Sequence, residues 1–284
     1  CGMLFCLASG DFDLSVASVI ACAGVVAAVV INMTESLWIG VFAGLLIGVA
    51  TGFVNGFVIA RLKINALITT LATMQIVRGL AYIFSDGKAV GIEDERFFTL
   101  GFANWLGVPA PIWLTIATML IFGFLLNKTT FGRNTLAIGG NEEAARLAGV
   151  PIVKVKIFVY AFSGLCAGLV GLVVASQLQT AHPMTGNMFE MDAIGATVLG
   201  GTALAGGRGR VSGSIIGAFV IVFLADGMVM MGVSDFWQMV IKGLVIVTAV
   251  VIDQFQQRLQ SKVVLLRRHE KKQQSTSVSE VSHG

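Results

Sequence analysis

Seven polar side chains stand inside, or at the head of, long apolar runs: Asp11, Asp13, Asn55, Gln75, Arg78, Asp226 and Lys242. Taking such groups out of water is costly, so each marks a polar pathway or a partner on a neighbouring helix. Gln75 and Arg78 are three residues apart and share a helix face. Asp226 and Lys242 fall in successive runs and carry the charges for a buried pair. Asp11 and Asp13 interrupt SGDFDLS where a helix should begin, and Asp13 or Ser15 is placed to cap it. Hydrolytic and metal chemistry has no comparable footing. The histidines His182, His269 and His283 are isolated, and Cys1, Cys6, Cys22 and Cys166 form no C-x-x-C pair. Neither H-E-x-x-H nor G-x-S-x-G occurs. The cysteines read as small apolar packing residues, and the expectation is no catalytic residue and no metal site.

A second constellation lies in the hydrophilic stretch 127–156, NKTTFGRNTLAIGGNEEAARLAGVPIVKVK. Asn141 is a helix cap, Glu142 and Glu143 fall in the first turn, and Arg146 lies near the end. Both signs match the helix dipole. Gly139 and Gly140 precede this short helix, Ala145 sits within it, and Gly149 with Pro151 stops it. Within segment 132–151 such a helix either braces two apolar runs or serves as a knob for a soluble partner.

Glycine supplies the third pattern. Gly40, Gly44, Gly48, Gly52 and Gly56 recur every fourth residue, which on a helix makes a groove for close approach of another helix. The stretch GGTALAGGRGRVSGS at 200–214 holds Gly200, Gly201, Gly206 and Gly207. It resembles a phosphate loop but lacks the Gly-Lys-Ser/Thr ending, so close packing or a broken helix is the expectation.

The elements that position these residues follow from composition. Among 284 residues 56% are hydrophobic, only 12% are charged, and mean hydropathy is +0.85. Soluble domains carry about 25% charged residues, so this chain is an all-α polytopic membrane protein. Eight candidate spans emerge: 14–31, 37–59, 65–84, 109–126, 157–177, 193–206, 211–231 and 237–252. The sixth is short and glycine-rich and reads as re-entrant or broken. Residues 1–9 read as the end of a further apolar span.

Alternation of these spans places fifteen of the 19 cationic side chains on one side, among them Arg61, Lys63, Lys128, Arg133, Arg146, Lys154, Lys156, Arg208 and Arg210. The other side holds only Lys88 and Arg96. The positive-inside rule then puts both ends of the chain in the cytoplasm. Residues 1–255 form the membrane domain and 256–284 a basic, Ser-rich cytoplasmic tail, with headgroup contact by LLRRHEKK as a second reading. A net charge of +3 offers no basis for nucleic-acid binding.

Three segments carry a family resemblance. GDFDLSVASVIA, AIGGNEEAARLAGV and GATVLGGTALAGGRGRVSGSIIGA resemble, in order, segments of the permease subunits of bacterial ABC importers for monosaccharides. The resemblance covers residues 1 to about 255. Within the family KINALITTLATMQIVRGLAYIFSDGKAVGIEDE is most similar to the arabinose branch, and the last third to the ribose and xylose branches. A full-length member would carry one or two further spans upstream, and this tail is longer than usual.

The resemblance implies a pathway made by two permease copies in the inner membrane. It further implies two ATPase subunits that bind ATP and Mg at the cytoplasmic face, and a periplasmic sugar-binding protein opposite. The helix at Asn141–Ala148 would be the coupling helix, and this chain would hold no cofactor of its own. An ion-coupled secondary sugar transporter using Asp226 and Lys242 is the alternative, and a channel or scaffold a third.

Overall fold

The computed structural model describes residues 1–252, 254 and 255. Its helices are α1 (Gly2–Ala8), α2 (Val16–Thr34), α3 (Leu37–Leu62), α4 (Ala66–Phe84), α5 (Thr99–Phe102) and α6 (Ala110–Lys128). They continue with α7 (Thr130–Gly140), α8 (Glu142–Leu147), α9 (Ile152–Leu178), α10 (Phe189–Leu199), α11 (Val211–Met230) and α12 (Asp235–Ile252). Seven of these, α2, α3, α4, α6, α9, α11 and α12, are long and apolar enough to cross a membrane. Uninterrupted apolar runs form helices because a helix satisfies its backbone polar groups internally, without water. Their ends carry local signals. Asn65 caps α4 by accepting from the Leu67 and Ile68 amides at 2.9 and 3.4 Å. Lys63 and Gln179 close α3 and α9 in the left-handed region, at φ 56° and 57°.

The core is the packing of α2, α3 and α9. A β-carbon on Gly48, Gly52 or Gly56 would strike the backbone of α9 at Gly164, Tyr160 and Ile157, and one on Gly40 or Gly44 would strike α2 at Ala27 or Ala23. The five-glycine ladder is therefore the surface on which α3 meets both neighbours. Gly164 and Gly171 return the contact from α9, against Gly48 and Ile20 respectively. Such contacts replace the hydrophobic effect, which gives helices no reason to associate within lipid.

The connections sort to two ends. Ile59, Ala66, Leu126, Ile138, Ala145 and Val155 share one apolar cluster, at the end that carries α7 and α8. Ile31, Ile92, Phe97, Ala175 and Ala181 share another at the opposite end. There the loop after α4 pairs Val90–Gly91 with Thr180–Ala181 in a short antiparallel ladder, and Asn104–Trp105 pairs with Val108–Pro109. The alternation inferred from sequence is thus present in the fold.

Two expectations need correction. The segment expected to span at 193–206 is α10, an 11-residue helix, followed by non-helical chain to Arg210. It packs on α11, where Gly200 meets Gly213 and Gly217 meets Ala196. Its glycines favour close approach over helix, so α10 is too short to cross as one continuous helix, and the chain passes from the Ala181 end to Gly207 beside Gly140 as a broken segment. The first residues are not at the α7–α8 end, as the expected sidedness required. Gly2 packs on Ser163, midway along α9, and α1 runs from there until Ala8 meets Gly139. The end at α8 is reached by the break between α1 and α2, residues 9–15. The tail expected at 256–284 lies outside the described residues.

Candidate functional site

The stretch expected to carry coupling folds as two helices meeting at a corner. Thr129 starts α7, its hydroxyl accepting from the Gly132 amide at 3.3 Å. Asn141 turns the corner in an extended conformation, and its Oδ1 accepts from the Ala144 amide at 2.9 Å. Glu142 and Glu143 occupy the first turn of α8, where Glu143 pairs with Arg146. Gly149, at φ +80°, releases the chain towards α9. Only Ala145 of α8 is buried, and Leu147 is 87% exposed. This short helix therefore presents Glu142, Glu143, Arg146 and Leu147 to solvent.

Beneath this helix three backbone segments touch. A β-carbon on Gly139 would collide with the Ala8 carbonyl, and the Gly207 amide donates to that carbonyl at 3.0 Å. Gly206, at φ +84°, has no room for a side chain, since a β-carbon would come within 2.7 Å of the Gly139 carbonyl and 2.8 Å of Gly10. The end of α7 is therefore wedged between the α1–α2 break and the α10–α11 break. Close packing transmits displacement because interiors have low compressibility.

An ion triad lies beside the wedge. Lys156 Nζ is 3.0 Å from Asp11 Oδ2 and 3.0 Å from Glu142 Oε2. Asp11 and Lys156 are almost wholly enclosed, whereas Glu142 is about half exposed. Burial raises the Asp11 carboxyl above its ordinary value, and the Lys156 ammonium opposes that shift.

Past Asp11 the break continues into a buried polar chain. Asp13 accepts from Ser15 Oγ at 2.6 Å and from Ser163 Oγ of α9 at 2.7 Å. Asn55 of α3 donates to Ser15 Oγ at 2.9 Å and accepts from Thr73 of α4 at 2.7 Å. The Tyr160 hydroxyl donates to the Phe12 carbonyl at 3.0 Å. These bonds hold the unwound residues 11–15 against α9 and α3, link α3 on to α4, and satisfy polar groups that would otherwise be stranded. Ser15 is the N-cap residue of α2 but no side chain caps the helix there: Asp13 accepts from the Ser15 amide at 3.1 Å, so the expected cap by Asp13 or Ser15 does not form.

The remaining polar residues do not join them. Arg78 binds the Pro183 and Thr185 carbonyls at 2.6 and 3.2 Å, fastening the loop that follows α9 at the other end. Gln75 is exposed on α4 and does not share that contact. Lys242 pairs with Asp192 of α10 at 3.1 Å, and Asp226 is exposed on α11, so the Asp226–Lys242 pair does not form. Fifty residues separate Lys242 from its partner, a distance that sequence periodicity does not bridge. A cavity of about 530 Å³ opens between α1, α6, α9, α10 and α11, lined largely by apolar side chains such as Met3, Leu114, Leu169 and Phe219. None of the seven polar residues lines it. Of the C-terminal glycines, Gly200, Gly206 and Gly207 pack against backbone, while Gly201, at φ +83°, meets nothing within 4 Å and serves its turn alone.

Comparison with known proteins now bears on this geometry. Residues 1–250 match the model of the family described as branched-chain amino acid transport system / permease component. The chain belongs to that permease family. It is 64% identical over 258 residues to the L-arabinose transport system permease protein AraH of Escherichia coli K12, covering 91% of this chain and 79% of that protein. Identity to the L-arabinose ABC transporter permease protein AraH of Azospirillum brasilense is 47%, over 89% of this chain and 75% of the relative. The ribose import permease protein RbsC of Bacillus subtilis is 42% identical over 89% of this chain and 79% of its own. No solved structure matches.

Sequence reasoning about this permease missed Lys156, which was counted only as a loop cation. The structure starts α9 at Ile152, before the expected span at 157, so Lys156 lies inside the helix. It also missed Ser163 and Tyr160, whose partners are about 150 residues away, at Asp13 and Phe12.

Proposed function

We propose that this permease is the membrane-spanning subunit of an ATP-driven importer for a monosaccharide. L-arabinose is the first choice of sugar and ribose or xylose the next, since the arabinose permeases are its more identical relatives. ATP and Mg belong to separate ATPase subunits, and this chain contributes no catalytic group. The end that carries α8 faces the cytoplasm, in keeping with the cationic residues gathered in its connections. A periplasmic binding protein delivers sugar at the opposite end, and a second copy of this chain completes the pathway within the inner-membrane lipid.

The observation that carries the reading is α8 itself, an exposed knob whose root is wedged by glycine between two helix breaks. Docked in a groove of an ATPase, it would move as that subunit closes. The wedge at Gly139 would pass the movement to the α1–α2 and α10–α11 breaks, biasing the pathway towards one opening. An ion-coupled carrier has no use for such a knob.

The test is affinity purification of the tagged chain from membranes, followed by assay of ATP hydrolysis in the presence of the binding protein and L-arabinose. Recovery of an ATPase whose turnover rises with loaded binding protein supports the reading. Uptake that persists with no ATPase attached rejects it.

A further inference from the structure

Among the described residues, Lys156 forms ion pairs with both α8 and the α1–α2 break. It reaches Glu142 in the first turn of α8 and Asp11 in the break, each at 3.0 Å, from the start of the long helix α9. The two contacts differ in their surroundings. The Lys156 and Asp11 side chains retain only 9% and 13% of their exposure, whereas Glu142 retains 54%. Water competes for Glu142 and hardly at all for Asp11, so the bond to Glu142 is the one that loosens when α8 moves.

We infer that Lys156 is a positioning residue for transport: an ionic pivot that ties α8 to the unwound residues 11–15 and passes the movement of α8 to them. The inference rests on the docking role given to α8 above and goes beyond it, assigning the transmission step to one ammonium group. Two features make the pivot directional. Asp11 is followed at once by Phe12 and Asp13, which are bound to Tyr160 and Ser163 of α9. Lys156 lies on that same helix, one turn before Tyr160. A displacement of Glu142 therefore changes the load on a segment whose other anchors stay on α9 and, through Asn55, on α3. The wedge at Gly139 pushes on the backbone of Ala8, while the triad acts three residues further on, at the entrance to the polar chain. Contact alone could hold the break in either position, but a shared ammonium ion registers whether Glu142 is present.

The experiment uses the full transporter, with ATPase subunits and binding protein, in proteoliposomes, reading sugar moved per ATP hydrolysed. For Lys156→Met we expect the ATPase to co-purify in normal amount and to hydrolyse ATP within about twofold of wild type. Sugar moved per ATP should fall at least tenfold. Lys156→Arg, which keeps the charge and reaches both carboxylates, should recover most of that ratio. Should Lys156→Met fail to accumulate, Asp11→Asn decides, since it keeps the shape and removes the inner half of the triad. The same tenfold loss in Asp11→Asn supports the pivot. An unchanged ratio in either accumulating variant overturns it. Failure of wild type to retain any ATPase would instead overturn the docking role of α8.

Discussion

Gly139 of α7 stands directly against the carbonyl of Ala8, with no room between them for a methyl group. Its neighbour Gly140 is different: a β-carbon there would have its nearest contact at 4.0 Å, on Gly207. The two glycines look alike in the sequence and have different jobs. Gly139→Val should force apart α7 and the α1–α2 break, costing about 1–3 kcal/mol of stability and most of the uptake. Gly140→Ala should be close to neutral. Uptake by cells expressing each variant, normalised to membrane abundance, separates them.

Helix propensity and docking chemistry can be probed at the same corner. Gly140→Pro removes an amide donor at the end of α7 and disturbs the corner from which α8 departs. Glu142→Arg reverses charge at the start of α8, against the dipole and against Lys156. Both variants should remain in the membrane and lose uptake. Normal uptake by both would count heavily against a coupling role for α8.

The glycine ladder predicts a position-dependent cost. Gly52→Ala should destabilise by about 1–3 kcal/mol, because its β-carbon would meet the Tyr160 carbonyl and Ala161. Gly79→Ala in α4 meets nothing within 4 Å and should stabilise by about 0.5–1 kcal/mol through helix propensity alone. Thermal unfolding in detergent, followed by circular dichroism, should move in opposite directions for the two.

The Lys242–Asp192 pair joins α12 to α10, with about a quarter of each side chain exposed. Lys242→Met leaves the partly buried Asp192 without its partner, and we expect a loss of about 1–2 kcal/mol, between the values for exposed and buried pairs. Asp192→Asn on the same background should restore part of it, whereas Asp226→Asn should change little. A double-mutant cycle on melting temperature reads these effects.

Much of this architecture was legible because its causes are local. Apolar runs of span length, the cap at Asn141 and the four-residue glycine repeat are each set within a few residues, and all are present in the fold. What could not be read is what depends on contact across the chain. Lys242 has two carboxylates within reach of imagination, and only packing selects Asp192. Asp11 and Asp13 are two residues apart, yet one joins an ion triad with α8 and the other a hydroxyl network with α9. The sixth run is broken rather than one continuous helix because its glycines serve backbone junctions with Gly139 and Gly213, and hydropathy registers no such requirement.

The most direct measurement is sugar uptake into proteoliposomes that hold the purified chain, with and without its ATPase subunits, binding protein and internal or external ATP. If α8 transmits movement from an ATPase, uptake requires the partner and stops when hydrolysis is blocked, for instance by vanadate. Full-rate uptake by the chain alone, indifferent to nucleotide, would contradict the account.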